Sequence, residues 1–205
     1  MTFAHTDRAP ISADVGLQRL IDGNRRFMEG KARFPTVCKE TLADLARGQQ
    51  PYATILGCSD SRVPPELIFD ADFGELFIIR VAGNVMSPEV KGSLQYAGSH
   101  LHTPLFVILG HEGCGAVQAA LAYKYHRVEQ RSHIQVLVRN IVPGLPDASS
   151  GISADERLVA AVEANVRWSM HQLMATQEAK DAAKRGAKLV GGIYEISSGC
   201  VRFLS

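Results

Sequence analysis

Two short apolar runs limit the folds that this chain can adopt more than any other feature. Each run ends in glycine and is followed directly by residues of types that bind metals. The run ATILG ends at Gly57 and precedes Cys58 and Asp60, and the run PLFVILG precedes His111 and Cys114. Short apolar runs of this kind are typical of buried strands in a parallel sheet. Because the carboxyl ends of parallel strands share one edge of a sheet, we expect these side chains to lie close together.

The chemistry of these side chains narrows the choice of metal and of reaction. Thiolates and an imidazole suit zinc, which favours Cys and His in a tetrahedral arrangement, and they argue against Mg²⁺ and Ca²⁺. A nucleophilic-cysteine enzyme is rejected, because the segment from Cys58 to Arg62 is too short and too poor in glycine to cradle a phosphate. A non-catalytic structural zinc protein, with Asp60 as the fourth ligand, stays open as an alternative.

Composition excludes several other classes of protein. The 22 Lys and Arg residues nearly balance the 21 Asp and Glu residues, so no nucleic-acid or anionic-membrane partner is indicated. No apolar run approaches the roughly 20 residues of a membrane helix, and residues 1–16 lack the apolar stretch of a signal peptide. Four cysteines are too few for a disulfide scaffold. We therefore expect a single cytoplasmic domain over residues 1–205.

Strand-like and helix-like segments alternate along the chain, which predicts an α/β fold. We expect a mostly parallel central sheet flanked by helices, with a C-terminal antiparallel hairpin and an N-terminal helical arm over residues 1–35. The strands are predicted at residues 52–57, 76–81, 105–109, 189–196 and 200–204. The main helices are predicted at residues 14–29, 39–47, 88–101, 115–125, 134–141 and 154–174.

Three longer strings, GCSDSRVPPELIF, FGELFIIRVAGN and LGHEGCGAV in that order, resemble the β-class carbonic anhydrases. The resemblance covers roughly residues 15–205. It implies reversible hydration of carbon dioxide to bicarbonate and a proton, through attack by zinc-bound hydroxide. It also implies one Zn²⁺ per chain on Cys58, His111 and Cys114, with Asp60 or water in the fourth position. Hydrolysis of carbonyl sulfide or carbon disulfide on the same site is the alternative.

The resemblance also assigns a catalytic pair, Asp60 and Arg62. A guanidinium can hold a carboxylate through two parallel hydrogen bonds. When Arg62 holds Asp60, the metal is open to water, and when Arg62 releases it, the carboxylate can occupy the metal. A held Asp60 can also accept a hydrogen bond from the attacking oxygen.

Further residues follow from the same resemblance. It gives Gln49 a substrate-binding role, often across a subunit boundary, and it places Phe77 and Tyr96 in the apolar wall of the pocket. Because family sites are completed across a subunit interface, a homodimer or a dimer of dimers is expected. Ile55 stands where bicarbonate-inhibited relatives carry tryptophan, although Arg80 is present, so we expect no inhibitory bicarbonate pocket.

Overall fold

The computed structural model describes residues 11–33, 39–147 and 151–204, so parts of the predicted N-terminal arm lie outside the described residues. The strands are β1 (Ala53–Gly57), β2 (Leu76–Arg80), β3 (Leu105–His111), β4 (Lys188–Tyr194) and β5 (Val201–Leu204). The helices are α1 (Ala13–Met28), α2 (Lys39–Leu45), α3 (Pro65–Ile68), α4 (Pro88–Ser99), α5 (Gly115–His126), α6 (Ser132–Ile141), α7 (Ala154–Met174) and α8 (Gln177–Lys184).

The strands form one sheet in the order β2-β1-β3-β4-β5. Strands β1, β2, β3 and β4 run parallel to one another, and β5 pairs antiparallel with β4. The expected α/β fold, with its antiparallel C-terminal edge strand, is therefore confirmed. Strands β1 and β3 are direct neighbours near the centre, with Gly57 opposite Leu109, so the residues that follow them emerge side by side.

Helices cover both faces of the sheet, because neighbouring residues of each central strand point to opposite sides. Ile55 and Val107 face a cluster with Leu20 of α1, whereas Leu56 and Ile108 face the cluster built by α4, α5, α6 and α7. All five side chains are at most 1% exposed. Each contributes about 1.5–3 kcal/mol of hydrophobic stabilisation, so the strands that carry the site are firmly held.

Helix α7 packs unusually close to β3, and Gly110 makes this possible. A Cβ at Gly110 would lie 2.5 Å from Cγ2 of Val166 and 3.3 Å from Cγ1 of Val162. Both valines are almost fully buried. The glycine before His111 therefore sets the distance between the longest helix and the strand that ends in the candidate site.

Helix α1 is tied to the body by buried polar groups. Its start is capped by the Ser12 hydroxyl, which accepts the Val15 N–H. The buried Asn24 amide donates to the carbonyls of Ile68 and Gly199. A role for residues 1–35 in embracing a partner subunit stays a prediction.

The helix and strand bounds depart from the sequence expectations in two instructive places. β3 was expected to end at Leu109 but continues to His111, because β4 pairs with it as far as Tyr194. Helix α8 was not predicted, since its sequence QEAKDAAK lacks a stripe of large apolar residues. Within the described residues, no helix is both long and apolar enough to cross a bilayer.

Candidate metal centre

The carboxyl ends of β1 and β3 bring three metal-binding side chains together. Cys58 follows β1 directly, His111 is the last residue of β3, and Cys114 precedes α5. Their ligand atoms all lie within 4.8 Å of one another. This spacing leaves room for an ion at about 2.0–2.3 Å from each atom. All three side chains are buried, with His111 fully inaccessible to solvent.

A tight turn delivers Cys114 to this cluster. Gly113 has a φ of 65°, the left-handed conformation that glycine adopts most readily. The turn leaves Cys114 at the N-cap of α5, where the partial positive charge of a helix N-terminus favours a thiolate.

His111 is oriented as a metal ligand. Its Nδ1 lies 2.9 Å from the carbonyl oxygen of Glu112 and must donate to it, which leaves Nε2 with the lone pair. Nε2 is buried and has no hydrogen-bond partner among the described residues. An unsatisfied buried imidazole nitrogen beside two sulfur atoms is what a bound zinc ion would complete. The residues present therefore fit this metal.

The two thiols share one negative charge. A hydrogen bond from Cys114 lowers the pKa of Cys58 to about 4. The same contact, together with burial, raises the pKa of Cys114 well above its ordinary value. Burial lowers the pKa of His111, but the negative charge of Cys58 and the hydrogen bond to the Glu112 carbonyl act against this, and the pKa is raised overall. A divalent cation would let both sulfurs ionise together.

Asp60 lies beside the cluster but is held by Arg62. Arg62 Nε donates to Asp60 Oδ1 at 2.9 Å, Nη2 donates to Oδ2 at 2.7 Å, and the Arg62 backbone N–H donates to Oδ1 at 3.0 Å. The side-chain hydrogen bonds from Arg62 hold the pKa of Asp60 far below its usual value. Asp60 Oδ2 lies 3.9 Å from His111 Nε2. The carboxylate is thus ionised, near the ligands and engaged by its arginine.

Two residues near the cluster have contacts that the sequence analysis missed. Arg80 was considered only for an inhibitory pocket, yet its guanidinium donates to the carbonyls of Cys58 (3.0 Å) and Asp60 (2.6 Å). Gly83 appeared only within the string FGELFIIRVAGN, yet its N–H donates to Cys58 Sγ at 3.3 Å. The AGN string and an arginine at the end of the neighbouring strand are the only sequence signals for these contacts.

The three expected substrate-binding residues lie away from this chain's own cluster. Gln49 is exposed in the connection before β1, at the opposite end of that strand from Cys58. Phe77 pairs with Thr54, four residues before Cys58 and so about 13 Å along the sheet. Tyr96 on α4 stacks against Phe77, with ring centroids 6.1 Å apart. The structure thus groups Phe77 with Tyr96 but brings neither next to the metal-binding atoms.

Known proteins resemble the chain over nearly its whole length. A family model described as carbonic anhydrase matches residues 53–201. Carbonic anhydrase 2 of Mycobacterium tuberculosis is 37% identical over 193 residues, covering 93% of this chain and 90% of the relative. The solved β-carbonic anhydrase CcaA is 27% identical with a TM-score of 0.75, covering 93% of this chain and 88% of that one.

A third comparison bears on assembly. The structure of a tetrameric β-carbonic anhydrase from the filamentous ascomycete Sordaria macrospora is 25% identical to this chain, with a TM-score of 0.71. The match covers 92% of this chain and 96% of that one. The similarity therefore extends over the sheet, its helices and the strand ends that carry the cluster.

Proposed function

The chain belongs to the β class of the carbonic anhydrase family, and on that premise we propose that it hydrates carbon dioxide reversibly with one zinc ion per chain. Cys58, His111 and Cys114 would hold the ion. The observation that carries the proposal is the buried cluster, in which two sulfurs and the partnerless Nε2 of His111 converge. Three protein ligands with a fourth position left free is the arrangement of a catalytic zinc site.

When bound, zinc would lower the pKa of a water molecule toward neutrality and so provide a nucleophile for carbon dioxide. Asp60 and Arg62 orient that nucleophile. Each oxygen of a carboxylate can accept more than one hydrogen bond, so Asp60 can accept an O–H while Arg62 holds it. With its pKa far below neutrality, Asp60 stays an acceptor and does not take the proton. The lone pair of the nucleophile is then left facing the substrate.

The hold of Arg62 on Asp60 also argues against a purely structural zinc site. Such a site needs a fourth firm ligand, and the carboxylate beside the cluster is that of Asp60, 3.9 Å from His111 Nε2. Its two oxygens are instead taken up by a bidentate pair with a half-exposed arginine. This geometry keeps the carboxylate beside the ligand set and leaves access for a substrate.

A second copy of the chain would complete the site. Gln49 precedes β1 and Phe77 lies near the start of β2, both away from their own chain's cluster, and Tyr96 stacks against Phe77. We propose that these three residues contribute to the pocket of a partner in a homodimer or a dimer of dimers. Strand β2 supports this assembly, because it forms one edge of the sheet and its apolar residues are only half-buried. The description of the Sordaria relative as tetrameric agrees with it.

The reducing cytoplasm is the compartment that we propose, because it keeps such cysteines available as zinc ligands. We also propose that bicarbonate does not inhibit this enzyme, because Ile55 stands where the inhibited relatives carry tryptophan. In the structure Ile55 is fully buried against α1 and its neighbours, and Arg80 is engaged by backbone carbonyls.

The zinc-dependent activity is tested by paired cysteine variants. We expect the wild-type protein to bind one zinc per chain and to hydrate carbon dioxide. Cys114→Ser should lose most of both, whereas Cys200→Ser, which changes a cysteine outside the cluster, should keep both. Metal analysis and stopped-flow carbon dioxide hydration measure the two properties. Full zinc retention in Cys114→Ser would contradict the ligand set. Full zinc without turnover in the wild type would direct the assay to carbonyl sulfide.

A further inference from the structure

We propose that Asn165 and Ser169, two buried polar residues of α7, are positioning residues that aim the Gly83 N–H at Cys58 Sγ and so set the donor strength of that sulfur toward the metal. This inference rests on the proposed zinc site. It assigns a role in the metal centre to a helix that contributes no ligand to it.

The first observation is the geometry of the turn after β2. Gly83 and Asn84 both adopt left-handed backbone conformations, with φ values of 69° and 43°. Glycine and asparagine are among the residues that adopt this conformation most readily. The turn is also closely confined, because a Cβ on Gly83 would lie 2.7 Å from Ile141 Cδ1 and 3.0 Å from Ala116 Cβ.

The second observation is that α7 supplies the groups that hold this turn. Asn165 Nδ2 donates to the carbonyl of Gly83 at 2.9 Å. One turn further along the same helix, Ser169 Oγ donates to the carbonyl of Asn84 at 3.1 Å. Asn165, Ser169 and Asn84 are each at most 2% exposed. Water therefore cannot replace these bonds, and removing either donor leaves a buried carbonyl without its partner.

The third observation links the turn to the metal ligand. Gly83 accepts from Asn165 through its carbonyl and donates through its N–H to Cys58 Sγ at 3.3 Å. A hydrogen bond to a thiolate withdraws electron density from the sulfur and fixes its direction. Groups that contact a ligand in this way commonly change metal affinity by about 10–100-fold when they are removed. Helix α7 is a rigid support for the turn, since it packs directly on β3 at Gly110.

The spectrum of the cobalt-loaded protein is a readout that would not change if Asn165 had a merely structural role. We would load Co²⁺ into the wild type, Asn165→Ala, Asn165→Leu and Thr103→Ala, and record the thiolate-to-cobalt charge-transfer band. Zinc transfer to a chelator and thermal unfolding would be measured on the zinc-loaded proteins. Thr103 is the matched control, because it is also 2% exposed and its hydroxyl also donates to a backbone carbonyl, that of Ala97. Thr103 lies just before β3, at the end of that strand opposite to His111.

We call the hold of Asn165 and Ser169 on the Gly83 and Asn84 carbonyls the clamp. If the clamp acts as proposed, the charge-transfer band shifts to longer wavelength in both Asn165 variants, because a sulfur without its hydrogen bond gives up an electron more easily. Zinc affinity should also fall about 10-fold. Thr103→Ala should lose thermal stability but keep the wild-type band. Asn165→Leu separates the lost bond from lost volume, and a normal band in that variant would overturn the proposal. So would an equal shift in Thr103→Ala.

The failure of this inference differs from a failure of the proposed function. A wild-type charge-transfer band that Cys58→Ser abolishes, together with unchanged Asn165 variants, would contradict the clamp alone. A wild-type protein that binds Co²⁺ without any thiolate band would contradict the proposed metal site, and the clamp with it. If Asn165→Ala does not fold, Asn165→Leu and Ser169→Ala carry the same comparison.

Discussion

At the scale of single residues, the proposed chemistry depends on Arg62 more than on any other residue that is not a ligand. Its side chain is half-exposed, yet it makes two hydrogen bonds to Asp60 and thereby directs a carboxylate that lies 3.9 Å from His111 Nε2. Because the bonds are parallel and planar, a lysine cannot reproduce them.

We therefore predict that Arg62→Ala lowers turnover at least about 100-fold while the zinc content stays at one per chain. Arg62→Lys should lie between the wild type and Arg62→Ala, since it restores the charge but not the two-point hold on Asp60. Stopped-flow hydration and metal analysis on the same samples measure both quantities. Wild-type turnover in Arg62→Ala would exclude the catalytic pair.

The residues that sequence reasoning located and those it missed differ in what they contribute. Cys58, His111 and Cys114 act through side chains whose types are recognisable, and the glycine-bounded strands placed them at one edge. Gly83 acts through a backbone N–H, which carries no side-chain signal. Asn165 lies 82 residues from its partner in sequence, and a buried asparagine in a helix has no pattern that names the carbonyl it will bond.

At the scale of elements, the packing of α7 against β3 positions both the candidate ligand His111 and the turn at Gly83 and Asn84. We predict that Gly110→Ala costs about 1–3 kcal/mol of unfolding free energy, since its Cβ would lie 2.5 Å from Val166. Gly92→Ala is the matched control, because it sits inside α4 with open space around it. It should stabilise the protein by about 0.5–1 kcal/mol. Denaturant unfolding compares them, and equal effects would contradict the close packing.

Helix α1 offers a prediction with a defined dependence on pH. Asp70 is buried, which raises its pKa, but hydrogen bonds from Arg26 and Arg33 outweigh burial and lower it overall. A lowered folded-state pKa stabilises the protein above the unfolded value of about 3.9, and this stability is lost as the pH falls further. Asp70→Asn should therefore cost about 2 kcal/mol at neutral pH, the usual range for hydrogen bonds to a charged group. Its gap from the wild type should shrink below about pH 4, and a gap that is constant with pH would contradict this assignment.

Helices with a clear start signal or a stripe of large apolar residues could be predicted from the sequence, and helices without them could not. Helix α7 begins with a capping box, a signal visible in the sequence, in which Ser153 and Glu156 bond each other's backbone. Helix α4 begins with an equally recognisable pair, the N-cap Ser87 and Pro88 in the first helical position. Helix α8 was missed because it packs through small residues such as Ala182, which give no hydrophobic stripe.

At the scale of the whole molecule, the distance between Gln49 and its own chain's cluster makes assembly part of the proposed function. We predict that mixing two impaired variants, Cys58→Ser and Gln49→Ala, restores activity. In a hybrid dimer, the intact metal site of one subunit would receive the intact Gln49 of the other. Random exchange of subunits would restore about a quarter of the wild-type rate. Activity no greater than the average of the separate variants would contradict a shared site.

The central claim is that Cys58 and Cys114 supply thiolates to a zinc ion that activates water for carbon dioxide hydration. Two thiolates donate more negative charge than neutral imidazoles would, so the water should be less acidic than in an all-histidine site. The most direct measurement is stopped-flow hydration at about pH 7 and about pH 8.5 on protein of known zinc content. We predict one zinc per chain and a hydration rate that rises clearly at the higher pH. A fully zinc-loaded protein whose hydration rate is absent, or the same at both pH values, would contradict it.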